Sequence, residues 1–133
     1  MLLLDTHVLV WLDEGNPRLG KTALQTIDEA LTSGQLGVAT ISFWEVAMLI
    51  DKQRVTMQTD LADWRFELLQ AGLLEIPLRG TTAIHAAQLP LFHGDPADCM
   101  IVATAIENEA TLMTADEKIL SWKQLNQKID ARL

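Results

Sequence analysis

Four acidic residues, Asp5, Glu45, Asp98 and Asp116, are scattered along almost the whole chain, yet each lies beside an apolar, strand-like or helical run. Asp5 directly follows Leu2-Leu3-Leu4, and Glu45 lies a short turn beyond Leu36-Gly37-Val38-Ala39. Asp98 precedes Met100-Ile101-Val102, and Asp116 follows Thr111-Leu112-Met113-Thr114. Ligand sites in α/β proteins form outside the carboxyl ends of the strands, so a parallel sheet would carry these distant acids to one rim. Carboxylates gathered there repel one another and rise in pKa unless a cation compensates. An all-oxygen pocket of this kind suits a hard divalent cation, Mg²⁺ or Mn²⁺. Such an ion, alone or as one of a pair, activates water and polarises a phosphoryl oxygen, which points to phosphodiester hydrolysis.

Each acid also has a local explanation. Glu45 closes Ser42-Phe43-Trp44-Glu45, an S-x-x-E pattern that predicts a capping box with Glu45 in the first turn of a helix. Asp98 in a first turn would gain ~0.3–1 kcal/mol from the helix dipole alone, and Asp116 fits the cap of a last helix. Asp5 is harder to explain away, because an unpaired acid between Leu4 and Val8-Leu9-Val10 would be costly to bury. Asp95 reads as a helix cap that could also hold Asp98 from behind. Thr6 and Thr114 flank the acids either as supporting hydroxyl donors or as turn residues. His7, His85 and His93 lack zinc-ligand spacing. Trp11, Trp44, Trp64 and Trp122 read mostly as core or interface residues, with base stacking as the alternative, and Lys52 and Arg54 as phosphate contacts or a solvated face.

The elements that must position these groups alternate along the chain. Leu2 to Leu4 forms a first strand, followed by a short helix through Val8 to Leu12 that stops at Glu14-Gly15-Asn16-Pro17. Leu24, Ile27 and Leu31 set one face of a helix over Arg18 to Ser33. A second strand covers Leu36 to Ala39, and the helix opened at Ser42 runs to Asp51. A helix over Asp60 to Gln70, a third strand over Leu73 to Ile76 and a helix over Thr82 to Gln88 follow. Asp95-Pro96-Ala97-Asp98 is the clearest helix start, with Asp95 as cap and Pro96 at the first helical position. That helix runs to Glu109, Thr111 to Thr114 forms a fourth strand, and Asp116 to Trp122 closes the chain as a helix. This order predicts an α/β fold with a mostly parallel sheet covered on both faces.

With 133 residues, 49% of them apolar, residues 1–133 are expected to form one domain with one core. No apolar stretch approaches the ~18 residues that cross a bilayer, and Met1 to Asp5 lacks the basic start of a signal peptide. The expected compartment is the cytoplasm. Cys99 is the single cysteine, expected as a small buried hydrophobe. A net charge of −8 argues against nucleic-acid binding by charge alone and suits a basic protein partner. No G-x-G-x-x-G follows the first strand, which disfavours dinucleotide binding.

Taken together, Leu2-Leu3-Leu4-Asp5-Thr6-His7-Val8-Leu9-Val10-Trp11, Ile41-Ser42-Phe43-Trp44-Glu45-Val46-Ala47, Asp95-Pro96-Ala97-Asp98-Cys99-Met100-Ile101-Val102-Ala103-Thr104-Ala105 and Thr114-Ala115-Asp116 resemble a PIN domain of the VapC-type toxins. The resemblance extends from Met1 to Trp122. It implies a three-layer α/β/α fold with a mostly parallel central sheet of four or five strands, usually dimeric. It also implies a Mg²⁺- or Mn²⁺-dependent endoribonuclease, restrained by an antitoxin encoded beside it. Asp5 and Asp98 would then be the principal metal ligands, with Glu45 and Asp116 completing the pocket or orienting water. Two departures bear on substrate contacts. Cys99 stands where an arginine is common in this subgroup, and the basic residue usual soon after the second acid is displaced to Lys52. The competing expectations are a catalytically weak module that binds the antitoxin, and a nuclease specific for structured DNA.

Overall fold

The computed structural model describes all of residues 1–133. Its sheet has five strands, β1 (Leu2–Leu4), β2 (Leu36–Ala39), β3 (Leu74–Ile76), β4 (Thr111–Thr114) and β5 (Lys128–Asp130), in the order β3-β2-β1-β4-β5. All four pairings are parallel. Seven helices complete the chain: α1 (Thr6–Glu14), α2 (Lys21–Thr32), α3 (Thr40–Asp51), α4 (Leu61–Gln70), α5 (Gly80–Ala87), α6 (Pro96–Glu107) and α7 (Glu117–Leu120).

The alternation of side chains along β1 divides the core. Leu2 and Leu4 face one layer, packed with Val8 and Leu9 of α1, Ile27 of α2, Val46 of α3 and Trp64 of α4. Leu3 faces the other layer with Ile101, Val102 and Ala105 of α6 and Ile119 of α7. Covered on both sides, the central strands read as unbroken apolar runs, as buried parallel strands do. The α/β/α class expected from the element order is therefore the observed one.

Three local expectations need correction. α3 begins at Thr40, with Ala39 as an N-cap that makes no side-chain bond, so Ser42 caps nothing and Glu45 lies in the second turn. The predicted closing helix shrinks to the single turn of α7, capped by Asp116, whose carboxylate accepts from the Lys118 amide. The fifth strand, β5, was not among the expected elements. It adds to the outer edge of β4, where Lys128 pairs with Leu112, Ile129 with Met113 and Asp130 with Thr114.

The chain builds outward from β1 through β2 to β3, then returns to the opposite side for β4 and β5. The reversal opens a crevice past the carboxyl ends of β1 and β4, the usual place for a ligand in an open α/β sheet.

Candidate functional site

Asp5 ends the central strand. Its amide donates to the Met113 carbonyl of β4 at 3.0 Å, and its carboxylate caps α1 by accepting from the Thr6 amide at 2.8 Å. The second carboxylate oxygen accepts from the hydroxyl of Thr114 at 2.7 Å. That hydroxyl in turn accepts from the Asp116 amide at 3.0 Å. Thr114 thus ties the first acid to the backbone of the fourth. Asp5 is 2% exposed. Burial pushes its carboxyl above the ordinary aspartate value, while His7 and the bonds from Thr114 and Thr6 partly oppose the shift.

α6 supplies the next two acids through one turn of backbone. The Asp95 carboxylate accepts from the Asp98 amide at 2.9 Å, and the Asp98 carboxylate accepts from the Asp95 amide at 3.4 Å. This reciprocal capping box places the two carboxylates side by side at the helix start. Gly94 permits the approach, because a Cβ there would press within 2.9 Å of Asp98 Cβ and closer still to the Phe92 ring. Glu45 reaches the same place from the second turn of α3. One oxygen from each of Glu45, Asp95 and Asp98 falls within 4.8 Å of the others.

Asp5 and Asp116 stand outside that tight group of three but close enough to act on it. The Asp98 carboxyl is pushed up to about 7, first by burial and then by the charges of Asp95, Asp5, Asp116 and Glu45. Glu45 is likewise raised by burial, with the neighbouring Thr6 hydroxyl opposing and the charges of Asp5 and Asp95 adding. None of the molecule's ion pairs joins Glu45, Asp95, Asp98 or Asp116 to a lysine or arginine. The rim therefore gathers negative charge with no lysine or arginine in ion-pair contact. An all-carboxylate donor set under such repulsion fits a hard divalent cation, which would relieve the repulsion and accept oxygen ligands.

Two supporting residues were not expected in these roles. His7 Nε2 accepts from the Ala115 amide at 3.0 Å, so its ring proton sits on Nδ1, which lies 3.7 Å from Asp5. Ser42 is fully buried and accepts from the Thr6 hydroxyl at 2.9 Å, bracing the residue beside Asp5 and Glu45. Ser42→Ala should lower stability by about 1 kcal/mol, because it removes a buried hydroxyl–hydroxyl bond beside Asp5 and Glu45. Urea unfolding would show this, whereas a serine without that bond would give no change. His85, 3.7 Å from Glu107, and exposed His93 take no part in the cluster. Cys99 is half-buried rather than enclosed. Its thiol donates to the Gly94 carbonyl at 3.6 Å, burial raises its pKa, and it is not among the acids that gather at the rim.

The model of the PIN domain matches residues 2–123. The chain belongs to the PIN-domain family. Ribonuclease VapC22 of Mycobacterium tuberculosis is 36% identical over 123 residues, covering 92% of each chain. Among solved structures, VapBC2 from Rickettsia felis, bound to a DNA fragment from its promoter, aligns with a TM-score of 0.67 and 16% identity. That alignment covers 96% of this chain and 95% of that one. A toxin–antitoxin complex from Klebsiella pneumoniae aligns with a TM-score of 0.65 and 18% identity over 98% of both chains. At those identities the two structures show the shared fold alone. No helix of this PIN domain is long and apolar enough to cross a membrane.

Proposed function

We propose that this PIN domain is a metal-dependent endoribonuclease, the toxin of a toxin–antitoxin pair. The observation that carries the proposal is the convergence of five carboxylates at the β1–β4 crevice with no lysine or arginine paired to the cluster. Similarity to a protein named as a ribonuclease favours RNA over DNA as the substrate.

Asp5, Glu45, Asp98 and Asp116 would hold Mg²⁺ or Mn²⁺, with Asp95 beside Asp98 at the same rim. A bound ion of this kind supplies Lewis acidity toward a phosphoryl oxygen and lowers the pKa of water. The protein's own groups do the positioning. Thr114 and the Thr6 amide fix both oxygens of Asp5, and the Asp95–Asp98 capping box fixes the orientation of Asp98. The metal-free Asp98 carboxyl is pushed up to about 7 by burial and its neighbours' charges, and a bound cation would release that proton. Thr6 and Thr114 are thus supports behind the acids. The acidic surface favours a basic antitoxin segment as the restraining partner. A homodimer acting in the cytoplasm completes the proposal.

The test uses purified protein and matched RNA and DNA oligonucleotides. RNA should be cut with Mg²⁺ or Mn²⁺ and left intact with EDTA, and the DNA should survive both conditions. Cleavage of DNA alone would make it a DNA nuclease. No cleavage of either polymer, alongside tight binding of the adjacently encoded protein, would make it an interaction module.

A further inference from the structure

A second feature opens directly beside the acids. A depression of about 260 Å³ shares Glu45 and Asp95 with the cluster and continues over Trp44, Met48 and Pro96 to Lys52 and Arg54. Trp44 is 52% exposed although it lies in a largely apolar helix, which places it outside the core. The other three tryptophans are fully or partly buried. Lys52 and Arg54 are exposed and belong to no ion pair. They are brought together by the end of α3, where Gln53 takes a left-handed φ of 59° and the Arg54 amide donates back to the Leu49 carbonyl at 2.8 Å.

We propose that this depression is a nucleotide subsite: Trp44 stacks one unpaired base of an RNA strand, and Lys52 and Arg54 hold the phosphate on its far side. The proposal rests on the nuclease function above and adds that the substrate is single-stranded next to the cleaved bond. Three observations converge on it. An exposed indole offers the flat apolar face on which any base stacks. Two unpaired cations meet a polyanion in a chain whose net charge of −8 would otherwise repel it. The shared Glu45 and Asp95 place the base one step from the reacting phosphate. A protein side chain could use the indole, but the two unpaired cations beyond it, Lys52 and Arg54, suit a phosphate better than a basic antitoxin segment, so RNA is the favoured occupant.

The experiment measures binding of a fluorescein-labelled oligouridylate, with Ca²⁺ replacing Mg²⁺ or Mn²⁺, alongside an otherwise identical oligomer lacking bases. Trp44→Ala should weaken oligouridylate binding about tenfold and binding of the baseless oligomer less than about twofold, and Trp44→Phe should restore most of the loss. Lys52→Gln and Arg54→Gln should weaken both oligomers equally, each lowering the salt dependence by about one ion. Equal effects of Trp44→Ala on both oligomers, or none on either, would overturn the proposal. So would a loss confined to binding of the adjacently encoded protein. The outcome is separable from the nuclease assignment. Base-dependent binding without cleavage under any divalent ion would remove the enzyme and keep the subsite. Cleavage with binding indifferent to Trp44 would do the reverse.

Discussion

Metal-free Asp98→Asn will melt at a higher temperature than the parent, and with Mg²⁺ or Mn²⁺ it will cut RNA about a thousandfold more slowly or worse. The stability gain follows from the raised pKa of Asp98, about 7 in the folded chain against a reference of 3.8. Between those values the folded chain binds more protons than the unfolded one, so stability falls as pH climbs through that window. The penalty is absent below the lower value and fully present above about 7. Because Asp98 is only partly buried, the expected penalty is about 1–2 kcal/mol, or roughly 3–8 °C in Tm. Asparagine removes the charge and keeps an oxygen to accept from the Asp95 amide. The gap between variant and parent should therefore open from pH 4 to pH 7 and stay level above. Mn²⁺ should raise the parent's Tm and leave the variant's nearly unmoved. The loss of rate corresponds to the several kcal/mol a divalent ion contributes to a phosphoryl transition state. Equal protection of both proteins by Mn²⁺ would remove Asp98 from the ligand set.

Thr114→Val should lower cleavage by about 10–100-fold while nearly preserving side-chain volume. Thr114 is fully buried and its hydroxyl has two duties, donating to Asp5 and accepting from the Asp116 amide. Valine leaves a buried carboxylate short of a donor and an amide short of an acceptor. The expected cost in stability is about 1–3 kcal/mol. The Asp5 carboxyl, already raised by burial, should rise further, because the Thr114 bond is one of the contacts holding it down. The rate profile should accordingly shift toward higher pH. Thr114→Ser, which keeps the hydroxyl, should recover most of both losses. Wild-type cleavage by Thr114→Val would mean that Asp5 needs no donor and that the bond is only structural. Asp5→Asn is a less clean probe than Asp98→Asn, since its amide group would face the Thr114 hydroxyl where an acceptor now stands.

Much of this arrangement is legible in the chain because the sheet is buried on both faces. β1 and β2 read as unbroken apolar runs and β4 as Leu112-Met113 between two threonines, and an acid follows each within a few residues. β5 escapes for the opposite reason. Lys128-Ile129-Asp130 offers a single apolar residue between two charges, as suits a partly exposed edge. The Asp95-Pro96-Ala97-Asp98 start is readable because a capping box is purely local. The same pattern misleads at Ser42-Phe43-Trp44-Glu45. There the serine hydroxyl is taken by Thr6, 36 residues away, and the helix begins two residues earlier. The roles of His7 and Thr114 depend on partners 108 and 109 residues distant, which no short spacing reveals. Trp44 is similarly obscured, because α3 is apolar on nearly every side and its one open face leaves no periodic trace.

The attachment of Asp5 to the middle of the sheet sets how this centre must fail. Its backbone is bonded across to β4, its side chain is anchored on β4 as well, and the strand bearing it touches both halves of the core. Loosening the acid means loosening the interior. Heat or denaturant should therefore erase ion capture and tertiary structure in one cooperative step, with no intact but ion-blind form surviving between them.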